Sequence, residues 1–238
     1  MNAADEPQWD WTELGLFLGL GVPVFLAAYV AGVGFMSTLG VGSKGLRLLL
    51  PQFVAYGAAI VPLWVVFQRR HGMGFVEALR MNIPSAWVGR SVAYGVAAAL
   101  GVQALGALLR MPKIETPMED LLRDAPSLAV AGLGGVTVGP WFEELLFRGL
   151  LQPLVIRAIG VTQGIFLAAL PFALLHGPQY AWSWRHVVLI TVAGAAFGWH
   201  RWRTGSTGAA VLMHAAYNAL LFTLFLIGRW ATSNMPGI

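Results

Sequence analysis

The chain has 238 residues, of which 57% are hydrophobic and 11% charged, with 10 tryptophans and a mean hydropathy of +0.67. A soluble core does not need long uncharged runs close to the ~20 residues that cross a bilayer, so composition excludes a soluble globular class. Cysteine is absent, which excludes disulfides, a thiolate nucleophile, thiolate metal sites and lipidation of the chain itself. The net charge of +4 is distributed in ones and twos at the ends of apolar runs, as headgroup anchors and not as a nucleic-acid footprint.

In chain order, Met1–Glu13 carries four acids and no Lys or Arg. It lacks the basic start of a cleavable signal peptide, so the first apolar run is expected to remain as a span. Spans are predicted over Leu14–Met36, Leu46–Phe67 and Ser91–Leu109, each bounded by polar or basic residues. A longer run, Leu128–Ile156, follows, then Val161–His176, Val187–Arg201 and Thr207–Gly228. The expected fold is therefore all-α, a polytopic membrane helix bundle of about seven (six to eight) helices. Several of the later segments are short, which requires neighbouring helices and water around their polar ends.

Two polar interludes interrupt this pattern. Arg69–Arg90 mixes four arginines with Phe75, Val76, Leu79 and Met81, a composition that suits a short helix lying in the interface. In Pro112–Pro126, the run Thr116-Pro117-Met118-Glu119 has the letters of a capping box and predicts a helix of about two turns from Pro117. No repeat or low-complexity linker divides the chain, so residues 1–238 read as one integral membrane domain. Lys and Arg fall almost equally on the two sides of a seven-span arrangement, so the charge rule sets no orientation.

Within the apolar runs the acids of the sequence are Glu143 and Glu144, in Gly139-Pro140-Trp141-Phe142-Glu143-Glu144-Leu145-Leu146-Phe147-Arg148. A carboxylate at bilayer depth costs at least ~2.5–3.5 kcal/mol, which makes an ionisable pair there a candidate functional site. Glu144 and Arg148 are four apart and share a helix face, so they predict an ion pair. Glu143 is rotated ~100° away and has no local cation, the setting of a carboxyl that exchanges protons with water. Two further clusters repeat the spacing of four: Phe172-x-x-x-His176, preceded by Pro171, and His214-x-x-x-Asn218. Singly, each has a bland reading. Glu144 with Arg148 is helix glue, a lone His in an apolar run packs, and Asn and His join helices by hydrogen bonds worth only ~0.6 kcal/mol on average. Together, on three successive segments, they supply an adequate set for hydrolysis by water.

The order Glu-Glu-x-x-x-Arg, Phe-x-x-x-His, His-x-x-x-Asn resembles the three signature motifs of the CAAX prenyl endopeptidase and bacteriocin-processing family (CPBP, or Abi) of intramembrane proteases. The likeness covers Gly139 to Asn218. The resemblance implies that Glu143 and His176 position and activate the attacking water and that His214 and Asn218 stabilise the oxyanion. Glu144 and Arg148, with Phe172, would support them. The remaining histidines read as interfacial: His71 and His186 border spans, and His200 lies in Trp199-His200-Arg201-Trp202-Arg203, an aromatic and basic anchor.

Two mechanisms stay open. A zinc-like divalent ion on Glu143, His176 and His214 would lower the pKa of bound water; alternatively, Glu143 with His176 deprotonates water and no metal is used. The family carries a metalloprotease label, yet the ligand spacing matches no standard zinc motif, and this favours the metal-independent form. The expected protein is an intramembrane endopeptidase of the cell membrane, multi-pass, acting on a membrane-bound peptide or a lipidated protein, prenylated CAAX-type proteins included. Its surroundings are the lipid bilayer, with no nucleic acid. Two other classes compete: a non-catalytic immunity or binding protein of the same fold, and a proton-coupled transporter. The transporter would show an inverted repeat, whereas the polar residues here crowd into one half.

Overall fold

The computed structural model describes residues 9–112 and 122–234. The expected capping box at Thr116 to Glu119 and its helix from Pro117 lie outside the described residues. Among the described residues every regular element is helical. α1 covers Trp11–Thr38, with a π-helical turn at Phe17–Gly21, and α2 is Lys44–His71. A single turn, α3 (Phe75–Ala78), leads through a 3₁₀ turn into α4 (Val88–Leu108). Then come α5 (Ala125–Val136), α6 (Val138–Glu144), a π-helical stretch Leu145–Leu151 and α7 (Gln152–Ile159). The chain ends with α8 (Val161–Leu175), α9 (Trp184–Thr204) and α10 (Thr207–Asn234).

Among the described residues four helices, Trp11–Thr38, Lys44–His71, Ser85–Leu108 and Thr207–Ala231, are long and apolar enough to cross a membrane. The chain is a polytopic helical bundle. The expected single run Leu128–Ile156 is instead broken at Thr137, which has φ −118° and ψ −71°. Pro140 supplies the physical reason, since it has no N–H for the carbonyl of Val136, four residues earlier. In both π-helical stretches a proline follows two residues after the last π residue, Pro23 after Gly21 and Pro153 after Leu151. Each removes a donor from the ladder, and a widened turn is one way a helix absorbs that loss.

The caps are local and polar. Asp10 accepts from Thr12 N at 2.7 Å, and Glu13 reaches back to Asp10 N at 2.9 Å. Ser43 caps α2 through Leu46 N at 3.2 Å, and Asp124 caps α5 through Ser127 N at 2.9 Å. The two caps touch: Ser43 Oγ lies 3.0 Å from Asp124 Oδ2 and 2.6 Å from Ser127 Oγ. The two N–H ends of α2 and α5 therefore share one carboxylate, a favourable charge for both. The N–H and O–H of Ser127 hold the Asp124 carboxyl below the usual carboxylate range.

α1 packs on α2, α2 on α5, α8 on α9, and α4 on α10. The last approach depends on Gly95, where a Cβ would collide with the carbonyl oxygen of Met213. Within Arg69–Arg90 the expected short helix is α3; Arg69, Arg70 and His71 before it form the last turn of α2, and Phe75, Ala78 and Leu79 are buried in the core against α2. Two expectations need correction. His200 is not an exposed anchor but fully buried, with Nε2 2.8 Å from Ser91 Oγ. Glu143 and Glu144 are not alone as acids among apolar residues, because Glu13 is also fully buried, bonded to His71 Nε2 at 2.9 Å and near Arg70 Nε at 3.3 Å.

Candidate active site

The kinked segment α6 sets the site. Glu143 and Glu144 stand at its end, where the chain passes into the π-helical stretch, and their adjacent positions send them to different surroundings. Glu144 is fully buried, whereas the Glu143 side chain keeps 23% exposure.

Glu144 Oε1 accepts from Arg148 Nη1 at 3.0 Å and from His214 Nδ1 at 2.9 Å. The expected ion pair is present, although Arg148 lies in π-helical and not α-helical backbone. Arg148 then crosses to α9, where Nη2 donates to the carbonyl of Gly194 at 2.7 Å. Its guanidinium also lies 4.6 Å from the ring centre of Phe172 and 5.6 Å from that of Phe197. A fully buried cation is thus met by one carboxylate, one carbonyl and aromatic faces, the partners such a charge requires in a low-dielectric setting.

His214 (α10) is buried and stacks on Phe197, ring centres 4.4 Å apart and planes 20° apart. A carboxylate oxygen can only accept, so the bond to Glu144 puts a proton on His214 Nδ1. The other nitrogen, Nε2, lies 3.8 Å from Glu143 Oε2. Glu143 therefore does have a nearby ring nitrogen, brought from another helix. His176, the residue that ends α8, bonds through Nδ1 to the carbonyl of Phe172 at 2.9 Å. Because that carbonyl only accepts, neutral His176 carries its proton on Nδ1 and leaves Nε2 as the acceptor. The spacing of four in Phe172-x-x-x-His176 is used by the backbone of residue 172, while its ring packs against His176 at 4.9 Å and His214 at 5.9 Å. Asn218, one turn beyond His214, donates through Nδ2 to the carbonyl of Gly135 at 2.8 Å, just before the Thr137 kink. An amide nitrogen has two hydrogens, so one more donation is open to it.

Glu143, His176, His214, Asn218 and Phe172 line one cavity of about 360 Å³ between α2, α5–α6, α8, α9 and α10. Glu144 and Arg148 sit behind this wall. Sequence reasoning missed other lining groups: Gln52, Tyr56, Gln179, Tyr180 and Tyr217. Tyr56 stacks on Phe142 at 4.1 Å, which seats α2 against the segment that carries the acids. Gln152 continues the spacing Glu144, Arg148 and bonds to Gly198 O at 2.9 Å; that extension of the ladder was visible in the letters.

Residues 125–220 match the family model described as type II CAAX prenyl endopeptidase Rce1-like. They form an Rce1-like domain. The match takes in every motif from Glu143 to Asn218 and begins at the first residue of α5. No curated protein and no solved structure matches the chain. As for a metal, among the described residues no group of three or more His, Asp or Glu is disposed to hold one. In the Rce1-like domain, Nδ1 of His176 and Nδ1 of His214 are each engaged with protein acceptors, which leaves Nε2 of each ring as the atom that can meet a water, a substrate or an ion.

Proposed function

We propose that this protein is an intramembrane endopeptidase that hydrolyses a peptide bond of a membrane-associated or lipidated substrate with a water activated by Glu143 and His176. One observation carries the reading: the four motif side chains, from three separate helical segments of the Rce1-like domain, converge on one cavity that the domain and α2 enclose. Such convergence of a carboxylate, two imidazoles and an amide is what acyl transfer to water requires. Seven passes in the cell membrane complete the picture, the shorter segments of the domain crossing alongside the four long helices.

In the proposed reaction the cavity-facing carboxylate of Glu143 takes one proton from water while His176 Nε2 accepts a hydrogen bond from the O–H that the attacking oxygen keeps. The water oxygen bonds to the scissile carbonyl carbon, and the carbonyl π electrons move to oxygen. His214 is flanked by the carboxylates of Glu144 and Glu143; as the imidazolium it donates from Nε2 to the oxyanion, joined by the second N–H of Asn218. When the C–N bond breaks, Glu143 returns its proton to the leaving amine, and the acyl part departs as a carboxylic acid.

Incubation of the purified protein in lipid with a library of lipidated and membrane-spanning peptides tests the reading. New termini by mass spectrometry are expected with the wild type and not with Glu143→Gln. Identical products from both, or none from the wild type, would remove the peptidase assignment. The metal-independent form predicts cleavage that survives exhaustive chelation; loss of activity restored by added zinc would replace it with a metal-bound water.

A further inference from the structure

α2 lies outside the matched residues 125–220, yet it closes one wall of the cavity that holds Glu143, His176, His214 and Asn218. The polar side chains it brings there are Gln52 and Tyr56, four residues apart and therefore on one helix face. Gln52 Nε2 donates to Tyr56 Oη at 2.8 Å, and neither side chain makes another hydrogen bond among the described residues. Polar side chains within membrane helices ordinarily bond across to another helix. This pair bonds only within α2, so it does not hold the bundle together. Nor is it sealed in: both residues are half-buried, and Gln52 Oε1 is not closed off by packing as Gln152 Oε1 is.

The ring of Tyr56 is fixed in place. It stacks on Phe142 at 4.1 Å with planes 16° apart, and its other side meets Phe25 at 5.5 Å. Phe142 directly precedes Glu143, so the phenol is held in register with that carboxylate, whose charge reaches it. A phenol oxygen both accepts and donates; with Gln52 donating to it, its own O–H hydrogen is left. Tyr56 thus offers a donor beside the acceptor Oε1 of Gln52. Turning the amide over exchanges the two roles and still leaves one donor beside one acceptor. In an extended chain one residue points its N–H and its C=O to the same side, which is how it exchanges two bonds with a neighbouring strand. The pair presents the complement of that edge, and peptide groups need such partners wherever water is excluded.

We propose that Gln52 and Tyr56 bind the main chain of the substrate peptide, in extended form, along the wall beside Glu143. Tyr56 donates to a peptide carbonyl, and Gln52 accepts from the N–H of the same substrate residue. The assignment rests on the peptidase reading and adds to it a substrate-positioning element from outside the Rce1-like domain. Because the pair addresses main chain, it sets where the peptide lies and not which side chains flank the cut.

The test uses the full chain in nanodiscs with fluorescent farnesylated and membrane-spanning peptides. Two readouts are taken: cleavage kinetics, and capture of the same peptides in the Glu143→Gln background, where cutting is expected to stop. Tyr56→Phe keeps the stacked ring and Gln52→Leu keeps the bulk, so both should unfold at the wild-type Tm. Each should raise KM about 3- to 10-fold at nearly constant kcat, as loss of one binding hydrogen bond does, and weaken capture by the same factor. Methylating the peptide nitrogens one at a time should find a position that raises KM for the wild type and not for Gln52→Leu, a non-additivity that a merely structural role would not produce. Wild-type KM and capture in both variants would overturn the assignment and leave the peptidase reading standing, as would equal sensitivity of wild type and Gln52→Leu to methylation at every position. Capture weakened by both variants, with cleavage by no protein, would support the main-chain site and overturn the peptidase reading. Absence of cleavage and of capture by the wild type would remove both.

Discussion

The region α1, α2 and α4 and the Rce1-like domain solve the same problem of lying in hydrocarbon in opposite ways. The first uses long, unbroken or gently widened helices whose outer faces are Leu and Val, such as Val30, Leu100 and Leu108, at 67%, 54% and 78% exposure. Its buried carboxylate, Glu13, meets the half-exposed Arg70 and bonds to His71, and all three lie at helix ends. The second is built of shorter pieces, with a kink at Thr137, a π-helical stretch and an internal proline at 171. It buries Glu144, Arg148, Gln152, His200 and His214. The break at Thr137 releases backbone carbonyls, and one of these, Gly135 O, receives the side chain of Asn218, while Arg148 reaches Gly194 O within the continuous α9. Charge is tolerated at depth where irregular backbone and other charges meet it, and it is absent where lipid would.

The contrast is sharpest in substitutions. Glu143→Gln should lower turnover ~10²- to 10⁴-fold, as loss of a positioned base does, with unchanged thermal unfolding; full activity would take Glu143 out of the chemistry. Arg148→Ala strands the Glu144 carboxylate and should cost ~3–5 kcal/mol of stability, measured by denaturation in detergent. A stable but inactive variant would instead place Arg148 in the reaction. Asn218→Ala should reduce kcat ~10²- to 10³-fold at nearly constant KM, and a pure KM effect would make it a substrate-binding group. Across the divide, Gly95→Val should lose ~1–3 kcal/mol through overpacking against Met213, whereas Leu108→Ala should leave unfolding almost unmoved. If Leu108→Ala were as damaging as Arg148→Ala, the two regions would not differ as described.

The weakest effect concerns the boundary between the regions. Asp124 titrates below the usual carboxylate range because Ser127 donates to it. Its stabilising contribution is therefore complete above the unfolded-state pKa and lost as pH falls through the lower folded-state value. Wild-type Tm should show a small acid step that Asp124→Asn lacks; matching profiles would deny the shared cap any electrostatic part.

Much of the scaffold was legible because membrane insertion writes itself into local composition. The three N-terminal runs and Thr207–Gly228 emerged near the observed helices. The Thr137 break was not legible as such: a missing N–H at Pro140 leaves no trace in hydropathy. In the candidate site, pairs four residues apart could be seen, which is how Glu144–Arg148 was anticipated. Contacts between residues far apart in sequence could not. His214 meets Glu144 across 70 positions, Asn218 meets Gly135 across 83, and Arg148 meets Gly194 across 46. His200 was misjudged for the same reason, since its partner Ser91 lies 109 residues away, and basic neighbours in sequence suggested a surface.

The π-helical stretch Leu145–Leu151 also works as a phase adjuster. Its wider turns hold more residues per revolution than α-helix does, so the angle between Glu144 and Gln152 is set by how many residues are wound there. Removing one residue from it would let the ladder close as ordinary α-helix while rotating everything downstream by ~100° relative to the acids. Gln152 would then turn away from Gly198. Length within this stretch is therefore constrained more tightly than residue identity, and a deletion scan should find it intolerant where conservative apolar exchanges are not.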